Sequence, residues 1–320
     1  MRYPCRHAGP GPDAGRRAPD FPSPVEEMPP AMSTLAHTMR SYVELTKPRV
    51  LTLVIFTGLP AMILAGGGWP APRFAFWTLL GISLAAGAAN ALNCYIERDV
   101  DARMERTRNR PLPGARMRPE SALVFGIALS VLATAILRVV GGPLAAGLGL
   151  ATILFYVFVY TVWLKPRSSW NAVIGGAAGA AAPLIADAAV NGSVGPAGLL
   201  LFAIVFFWQP PHVWAIALFR KEDYARAGIP MLPNVIGDQP TRWRMLWYSI
   251  ALVPVTLAPL PLGLLGALYG VVAAGLGAWF VWHSVRVLRE RTDAAARRMF
   301  HVSLVYLFVL FLAMLVDRAV

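Results

Sequence analysis

The sequence predicts an all-α, polytopic membrane protein with nine transmembrane helices. Apolar residues make up 57% of the chain and charged residues only 14%, a balance unlike that of a water-soluble domain. The mean hydropathy is positive. Much of the chain is also apolar on every face for about 20 residues at a time, which is the length of a helix that crosses the hydrocarbon core of a bilayer.

Nine such apolar runs follow one another along the chain. They lie at 50–66, 74–96, 120–139, 143–164, 170–190, 195–219, 245–264, 266–287 and 299–316. We therefore predict one transmembrane domain over residues 46–320.

Residues 1–45 have a different composition, rich in Pro, Gly and charge and without a periodic apolar face. This composition predicts a disordered amino-terminal tail. The tail lacks the apolar core and the small-residue cleavage site of a signal peptide. Its Arg residues are compatible with a mitochondrial transit peptide, but its acidic residues argue against one.

The basic residues orient the predicted bundle. The loops after spans two, four, six and eight are rich in Lys and Arg, whereas those after spans one, five and seven contain only Arg73. Because Lys and Arg are retained on the cytoplasmic side, we expect a cytoplasmic amino terminus and a periplasmic carboxyl terminus in a bacterial inner membrane. Much of the net charge of +12 is then an orientation signal or an attraction to anionic headgroups or substrates. No folded basic domain is present, so nucleic acid is not an expected partner.

One charged stretch begins inside the second span, NALNCYIERDVDARMERTRNRPLPG at 90–114. If the helix continues past the membrane surface, Asn93, Glu97 and Asp101 lie four residues apart on one face, and Asp99 points away. Oxygen ligands in such a row suit Mg²⁺, which fills its remaining positions with water and phosphate oxygens. The nearby Arg residues add donors for an anion. The alternative is a solvated, salt-bridged loop, but polar groups at the membrane boundary favour a functional site.

A second charged stretch follows the sixth span, WQPPHVWAIALFRKEDYARAGIPMLPNVIG at 208–237. Pro210 and Pro211 remove two backbone donors, so we expect the span to bend or break there. His212 follows them inside an apolar run and is either a packing residue or a functional group. Asp223 lies at the mouth of the span and is a second candidate acid.

These two stretches together resemble the UbiA-type intramembrane prenyltransferases. Asn93, Glu97 and Asp101 fall on the first aspartate-rich motif of that family, although Cys94 replaces its second-position Asp. The segments LTKPRV (45–50), YTVWLKPRS (160–168) and WQPPHVW (208–214) resemble one branch in particular, the protohaem IX farnesyltransferases. The second aspartate motif of the wider family is absent, because Arg220 and Tyr224 stand at its acidic positions.

The resemblance implies a nine-helix UbiA-type bundle and transfer of a farnesyl group from farnesyl diphosphate to a vinyl group of haem B, giving haem O, with Mg²⁺ as cofactor. It also implies a bilayer setting and a downstream haem A synthase or terminal oxidase assembly. Catalytic roles fall on Asn93, Glu97, Asp101, His212 and Asp223, the first three as metal ligands. Substrate-binding roles fall on Lys47, Arg49, Arg106, Arg110, Tyr160, Lys165, Arg167, Arg220 and Lys221.

Three other functions compete with this interpretation. Another aromatic prenyltransferase of the same family would be expected to carry the missing second-position Asp. A transporter should bring polar residues to the midplane with access from both sides, whereas these charges gather at one side. A non-catalytic haem-binding assembly factor would not need the acidic row beside RTRNRP (106–111).

Overall fold

The computed structural model describes residues 35–320, which are helical with no β-strand among them. In the first half of the chain the helices are α1 (Leu35–Thr46), α2 (Pro48–Gly66), α3 (Pro72–Ile96), α4 (Arg98–Asp101), α5 (Pro119–Val140), α6 (Gly142–Leu154) and a π-helical segment (Phe155–Leu164). In the second half they are α7 (Asn171–Ile174), α8 (Gly176–Gly179), α9 (Ala182–Asn191), α10 (Pro196–Phe219), α11 (Lys221–Arg226), α12 (Leu232–Ile236), α13 (Asp238–Leu257), α14 (Ala267–Glu290) and α15 (Asp293–Asp317).

Eight helical stretches within residues 35–320 are long and apolar enough to cross a membrane. They match eight of the nine predicted runs and are Pro48–Gly66, Pro72–Ile96, Pro119–Val140, Gly142–Leu164, Asn171–Asn191, Pro196–Phe219, Ala267–Glu290 and Asp293–Asp317. The remaining predicted run, 245–264, overlaps α13, which has 20 residues but carries Asp238, Arg242 and Arg244 near its start. The fold is therefore that of a multi-pass helical membrane protein, consistent with the nine predicted helices.

Helix α1 corrects the predicted boundary of the tail. Residues 1–34 lie outside the described part of the chain, but residues 35–45, expected to be disordered, form most of this helix. Leu45 and Ser41 are buried, and the ring of Tyr42 lies 4.8 Å from that of Phe125. Packing against α3 and α5 thus stabilises a short helix that its composition alone would not predict.

Hydrogen bonds between loops confirm that the basic connections share one end of the bundle. The backbone nitrogen of Glu105, after the second span, donates to Asp223, after the sixth. Lys165, after the fourth span, pairs with Glu97. At the opposite end, Asn191 donates to the carbonyl of Ala65. Successive spans therefore alternate in direction, as the pattern of basic residues predicts.

Helices α3 and α5 approach each other closely because two small residues face the neighbouring helix. A Cβ atom on Gly126 would lie 2.7 Å from the side chain of Leu92, and one on Gly81 would lie 2.9 Å from Leu137. Small residues at helix contacts allow backbones to approach within the bilayer, where van der Waals packing drives association. This contact holds the carboxyl-terminal half of α3, and hence the acidic row, in a fixed position.

Helix α10 continues through Pro210 and Pro211, so the span does not break there. The helix packs against α9, α13 and α15. Surrounding helices can hold a proline-containing segment helical within a membrane. Tertiary packing therefore overrides the local preference of the two prolines.

Asp187 of α9 links its own helix to the start of α10, at the end of the bundle opposite the acidic row. It is fully buried, and its Oδ2 accepts hydrogen bonds from the backbone nitrogens of Gly195 at 2.9 Å and Gly198 at 2.8 Å. Its Oδ1 accepts from Asn191 at 2.8 Å. The carboxylate thus satisfies the free N–H groups at the start of α10 from a neighbouring helix.

We predict that Asp187→Ala lowers the free energy of unfolding by about 1–3 kcal/mol, because it leaves buried backbone donors without an acceptor. Thermal unfolding in detergent measures the change. Asp99→Ala is the matched control, since the Asp99 side chain is 80% exposed. Equal midpoints for the two variants would contradict the role assigned to Asp187.

Candidate active site

The acidic row lies on one face of the chain where α3 ends. The helix is interrupted at Glu97, but the backbone bonds continue with helical spacing, from Glu97 N to Asn93 O at 2.9 Å and from Asp101 N to Glu97 O at 2.7 Å. Asn93, Glu97 and Asp101 are each less than a tenth exposed, whereas the side chain of Asp99 is 80% exposed. The structure therefore confirms the spacing argument for the row.

Two lysines bind the first two residues of the row. The Nζ of Lys47 donates to Asn93 Oδ1 at 2.9 Å, and the Asn93 amide donates to Thr161 Oγ1 at 3.1 Å. The Nζ of Lys165 lies 2.6 Å from the Glu97 carboxylate. The end of α3 therefore contacts two segments that are remote in sequence. These are the α1–α2 junction at Lys47 and the carboxyl-terminal part of the π-helical segment.

Arg110 binds the third residue of the row. Its Nη1 donates to Asp101 Oδ2 at 2.6 Å. The hydroxyl of Thr107 donates to the Asp101 backbone carbonyl at 2.7 Å, which holds the following loop against the row. The short distance and the burial of Asp101 identify a charge-assisted hydrogen bond that is protected from solvent.

The electrostatic setting differs between the two lysines. Burial lowers the pKa of Lys47, because desolvation disfavours its charged form. Burial acts in the same direction on Lys165, but the neighbouring Tyr160 and Glu97 outweigh it, so that the pKa of Lys165 is raised. The raised pKa favours the charged form of Lys165 beside Glu97.

Lys47 has an unusual backbone conformation for a non-glycine residue. Its φ is 55° and its ψ is 68°, in the left-handed region, at the junction between α1 and Pro48 of α2. Left-handed backbone is sterically costly for a residue with a side chain and is often found at functional sites. From this turn the Lys47 ammonium group reaches Asn93.

Asp223 joins the second charged stretch to the first. Its Oδ1 accepts from the backbone nitrogen of Glu105 at 3.0 Å and from Arg226 at 3.2 Å. Its Oδ2 is buried and makes no hydrogen bond within residues 35–320. A buried carboxylate oxygen without a partner is costly, so this atom is available for a ligand or a cation.

The metal ligands predicted from the sequence do not form a closed cluster. Within the described residues, no group of three or more His, Cys, Asp or Glu side chains is arranged to hold a metal ion. Asn93 is occupied by Lys47 and Thr161, and Glu97 and Asp101 each hold a cation. The donors are nevertheless of the oxygen type that suits a hard divalent ion, and the free Asp223 Oδ2 adds one more. The residues therefore fit a metal that is bound together with an anionic ligand.

A cavity of about 220 Å³ lies next to this polar cluster, with Asn90 of α3 and Tyr160 of the π-helical segment in its lining. Its walls come from α2, α3, the π-helical segment, α7 to α9 and α10, and they are mainly apolar. The aromatic side chains of Tyr156, Tyr160 and Trp208 line it, and the Lys165 Nζ lies 5.7 Å from the centre of the Tyr160 ring. An apolar chamber with cations and carboxylates at one end suits a ligand with a charged head and a hydrocarbon tail.

Two basic residues predicted to bind substrate instead contact other parts of the protein outside the acidic row. Arg167 is exposed and donates to the carbonyls of Val162 and Trp163, so that it caps the end of the π-helical segment. Lys221 pairs with Asp238 at 2.9 Å and connects α11 to α13. Their interactions are with the scaffold, which sequence position did not reveal.

Three other predicted cations lie near the same end of the bundle, and none of them forms an ion pair within residues 35–320. Arg220 is partly buried, with its guanidinium 5.9 Å from the centre of the Phe219 ring. Arg49 and Arg106 are exposed. Their predicted contact with substrate stays a prediction.

His212 lies at the contact between α10 and α15. Its Nδ1 is 2.7 Å from Ser303 Oγ, and its ring stacks on Trp208 at 4.5 Å and lies 4.9 Å from Phe300. It does not line the cavity, whereas its neighbours Gln209 and Val213 do. These contacts favour the packing alternative for His212 over a catalytic role.

Several polar residues of the site were missed by the sequence analysis. Thr161 accepts a hydrogen bond from Asn93, and Thr107 binds the backbone of Asp101. Asn171 and Gln209 line the cavity. The available signal was weak: Thr161 precedes Lys165 by one helical turn, and Gln209 and Asn171 are polar residues within apolar runs.

Residues 54–314 match the UbiA prenyltransferase family. This chain belongs to that family. It is 48% identical over 297 residues to protoheme IX farnesyltransferase of Acidiphilium cryptum, covering 90% of this chain and 93% of the relative. It is 50% identical over 280 residues to the protein of that name from Rhodopseudomonas palustris strain BisB5, with 86% and 89% covered. Identity is 49% over 281 residues to the Symbiobacterium thermophilum protein, with 87% and 94% covered.

Solved structures of the family share the fold. The chain matches digeranylgeranylglyceryl phosphate synthase with a TM-score of 0.74 at 17% identity, covering 88% of this chain and 98% of the other. It matches a UbiA homologue from Archaeoglobus fulgidus, solved with DMAPP and Mg²⁺ bound, with a TM-score of 0.62 at 18% identity, covering 86% and 99%. At these identities the likeness establishes the fold alone, a bundle of membrane-spanning helices.

The buried and exposed acids of the α3–α4 junction provide a matched pair for mutation. We predict that Asp101→Asn lowers the prenyl-transfer rate by at least about 10²-fold, because it removes the charge that holds Arg110 in the cluster. Asp99→Asn should lower the rate less than about threefold, since Asp99 faces solvent. Steady-state rates of both variants with saturating metal measure the difference. A rate more sensitive to Asp99 would show that the row is not the reacting face.

Lys165 and Arg167 provide a second pair, two residues apart in sequence. We expect Lys165→Gln to weaken binding of a prenyl diphosphate by at least about tenfold, because a buried cation beside Glu97 is lost. Arg167→Gln should change affinity little, since Arg167 binds backbone carbonyls on an exposed surface. Calorimetric titration of each purified variant with a prenyl diphosphate measures the two affinities. Similar losses of affinity in both variants would contradict the conclusion that Lys165 belongs to the site and Arg167 does not.

Proposed function

We propose that this protein transfers a farnesyl group from farnesyl diphosphate to a vinyl group of haem B, forming haem O. The carrying observation is the buried cluster in which Lys47, Lys165 and Arg110 meet Asn93, Glu97 and Asp101. An apolar cavity lies next to it, because Tyr160, whose ring contacts Lys165, lines that cavity. The names of the 48–50% identical relatives support haem as acceptor and farnesyl as the transferred group.

Ionisation of an allylic diphosphate requires that the leaving group be stabilised as its charge develops. Lys47, Lys165 and Arg110 are already arranged at one point, so little reorganisation is needed when the diphosphate takes their charge. On binding, the anion would compete with Asn93, Glu97 and Asp101 for these cations. The released carboxylates then become available as ligands, which couples substrate binding to metal binding.

We infer that Glu97, Asp101 and Asp223 hold Mg²⁺ together with diphosphate oxygens. The unpaired Oδ2 of Asp223 and the oxygen donors of the row support this assignment. A bound Mg²⁺ would supply positive charge to the leaving group. Asn93, which we predicted as a direct ligand, is better suited to position Lys47, because its amide is engaged on both sides.

The cavity walls serve the hydrocarbon part of the reaction. A farnesyl chain is apolar along its length and fits a chamber lined by aliphatic and aromatic side chains. The aromatic side chains of Tyr156, Tyr160 and Trp208 line that chamber, and π-electrons of such rings stabilise an allylic cation. Exclusion of bulk water by the same walls protects the cation from premature hydrolysis.

We place the polar cluster on the cytoplasmic side of a bacterial inner membrane, with the carboxyl terminus on the periplasmic side. The excess of Lys and Arg in the loops at this end of the bundle supports that orientation. The product is proposed to pass to a haem A synthase or to terminal oxidase assembly. A transporter is the competing class, and the gathering of buried charge at one end of the cavity favours the enzyme.

The decisive experiment incubates the purified protein with haem B, farnesyl diphosphate and Mg²⁺. We expect a haem product heavier by a farnesyl group and one hydroxyl group, detected by mass spectrometry. Excess chelator should abolish its formation and added Mg²⁺ should restore it, because the proposed ligands are hard oxygen donors. A parallel reaction with an aromatic acid tests the rival acceptor class. Prenylation of that acid but not of haem would refute the proposal, and full turnover in chelator would refute the metal role.

A further inference from the structure

Two amide side chains of the cavity have no place in the function described so far. Asn171 of α7 and Gln209 of α10 both line it. The Nδ2 of Asn171 and the Oε1 of Gln209 are buried and make no hydrogen bond within residues 35–320. Asn171 itself is only 2% exposed. Buried amides without partners are rare in proteins and often indicate an absent ligand or water.

The other polar groups along the cavity mostly have partners within the protein. The amide of Asn90 donates to the carbonyl of Thr46, the hydroxyl of Thr152 to a carbonyl of its own helix, and the indole of Trp208 to the carbonyl of Ser303. Apart from the hydroxyls of Tyr156 and Tyr160, this leaves the two amides. They present donors and acceptors to the cavity without carrying charge.

The position of the Gln209 amide depends on two glycines of α8. A Cβ atom on Gly179 would lie 2.9 Å from both the oxygen and the nitrogen of that amide, and one on Gly176 would lie 3.2 Å from its oxygen. The amide therefore lies directly against the backbone of α8, next to α7, which carries Asn171. The absence of two side chains creates the space that the amide occupies.

The chemistry of the proposed reaction limits what these amides can bind. The farnesyl chain has no polar atom beyond its diphosphate, and the reacting group of the acceptor is a vinyl hydrocarbon. A haem propionate is anionic and would require a cation, which neither residue supplies. The polar reactant that must enter the apolar cavity is water, and a buried water needs two to four polar partners.

We propose that Asn171 and Gln209 position the water molecule that adds to the prenylated acceptor; this inference rests on the proposed function. The farnesyl C1–O bond breaks and diphosphate leaves, and the terminal vinyl carbon forms a bond to C1. The inner vinyl carbon becomes the cation. The positioned water forms a C–O bond to that carbon, and its proton goes to the released diphosphate, a base that the reaction itself provides.

A fixed water also explains how hydration follows carbon–carbon bond formation. Water that moves freely in the cavity would capture the allylic cation first and release farnesol. A water held by two amides of the wall has a defined position and lowered mobility. It reacts with the cation that forms beside it. Asn171 and Gln209 thus act as positioning residues that decide the product, with no role in binding the diphosphate.

Gln209→Met and Asn171→Leu test the proposal, since each approximately retains side-chain volume and removes the amide. In the reaction with haem B, farnesyl diphosphate and Mg²⁺, we expect the ratio of hydrated product to product lacking water to fall by about tenfold or more. Farnesol release should rise in parallel. Mass spectrometry of the haem products and incorporation of ¹⁸O from labelled water give the ratio. Affinity for farnesyl diphosphate should stay within about twofold of wild type.

Gly179→Ala provides an independent variant, because its methyl group would displace the Gln209 amide. It should shift the product ratio in the same direction. Gly147→Ala is the matched control, since a Cβ atom there meets nothing within 4 Å, and its products should match wild type. Thermal unfolding of each variant confirms that it is folded.

Hydrated product in wild-type proportion from both amide variants would overturn the proposal. Loss of haem affinity with an unchanged product ratio would also overturn it and would assign the amides to the acceptor's polar groups. A folded variant that forms no carbon–carbon bond would overturn it as well, because water capture follows that step. If wild type itself prenylates no haem, the proposed function fails, which is a separate result.

Discussion

The cost of placing charge in an apolar medium is the constraint on which this site depends. Glu97, Asp101 and Asp223 are buried at the end of a bundle whose other residues are mostly apolar, and an isolated carboxylate there would be prohibitively expensive. Glu97 and Asp101 are therefore each paired with a cation from another segment, Lys165 or Arg110. These ion pairs lower the cost of burying the two carboxylates. Together with Lys47, which donates to Asn93, they also bring three cationic side chains to the acidic row.

The same pairs connect the chain's remote segments. Lys47 lies between α1 and α2, Arg110 follows α4, and Lys165 follows the π-helical segment, yet all three contact the α3–α4 face. Replacement of a buried ion pair by apolar residues is often neutral or stabilising, so stability alone does not explain such pairs. We propose that a substrate anion replaces the carboxylate as the partner of each cation, which would account for these pairs. The apolar cavity beside the cluster then receives the part of the ligand that the charges cannot bind.

Close packing of small residues determines how accurately these groups are held. Gly81 and Gly126 allow α3 and α5 to meet, which fixes the helix that carries the acidic row. Gly176 and Gly179 leave room for the Gln209 amide beside α8. In both places the backbone itself forms the surface, and a single methyl group would move the neighbouring side chain. Glycines at helix contacts therefore determine both how tightly the helices pack and what shape the cavity has.

The sequence by itself determined the fold class, the approximate ends of eight of the nine predicted spans, and the face shared by Asn93, Glu97 and Asp101. These follow from properties local to the chain: apolar length sets the spans, and the period of the helix sets the face. Only the tertiary structure decided that residues 35–45 are helical, that α10 continues through its prolines, and that Arg167 and Lys221 bind the scaffold. It also placed His212 against Ser303 and exposed the unpaired amides of Asn171 and Gln209. Helical period gives a residue's depth and face on its own helix, but which neighbouring helix covers that face depends on packing between segments far apart in sequence.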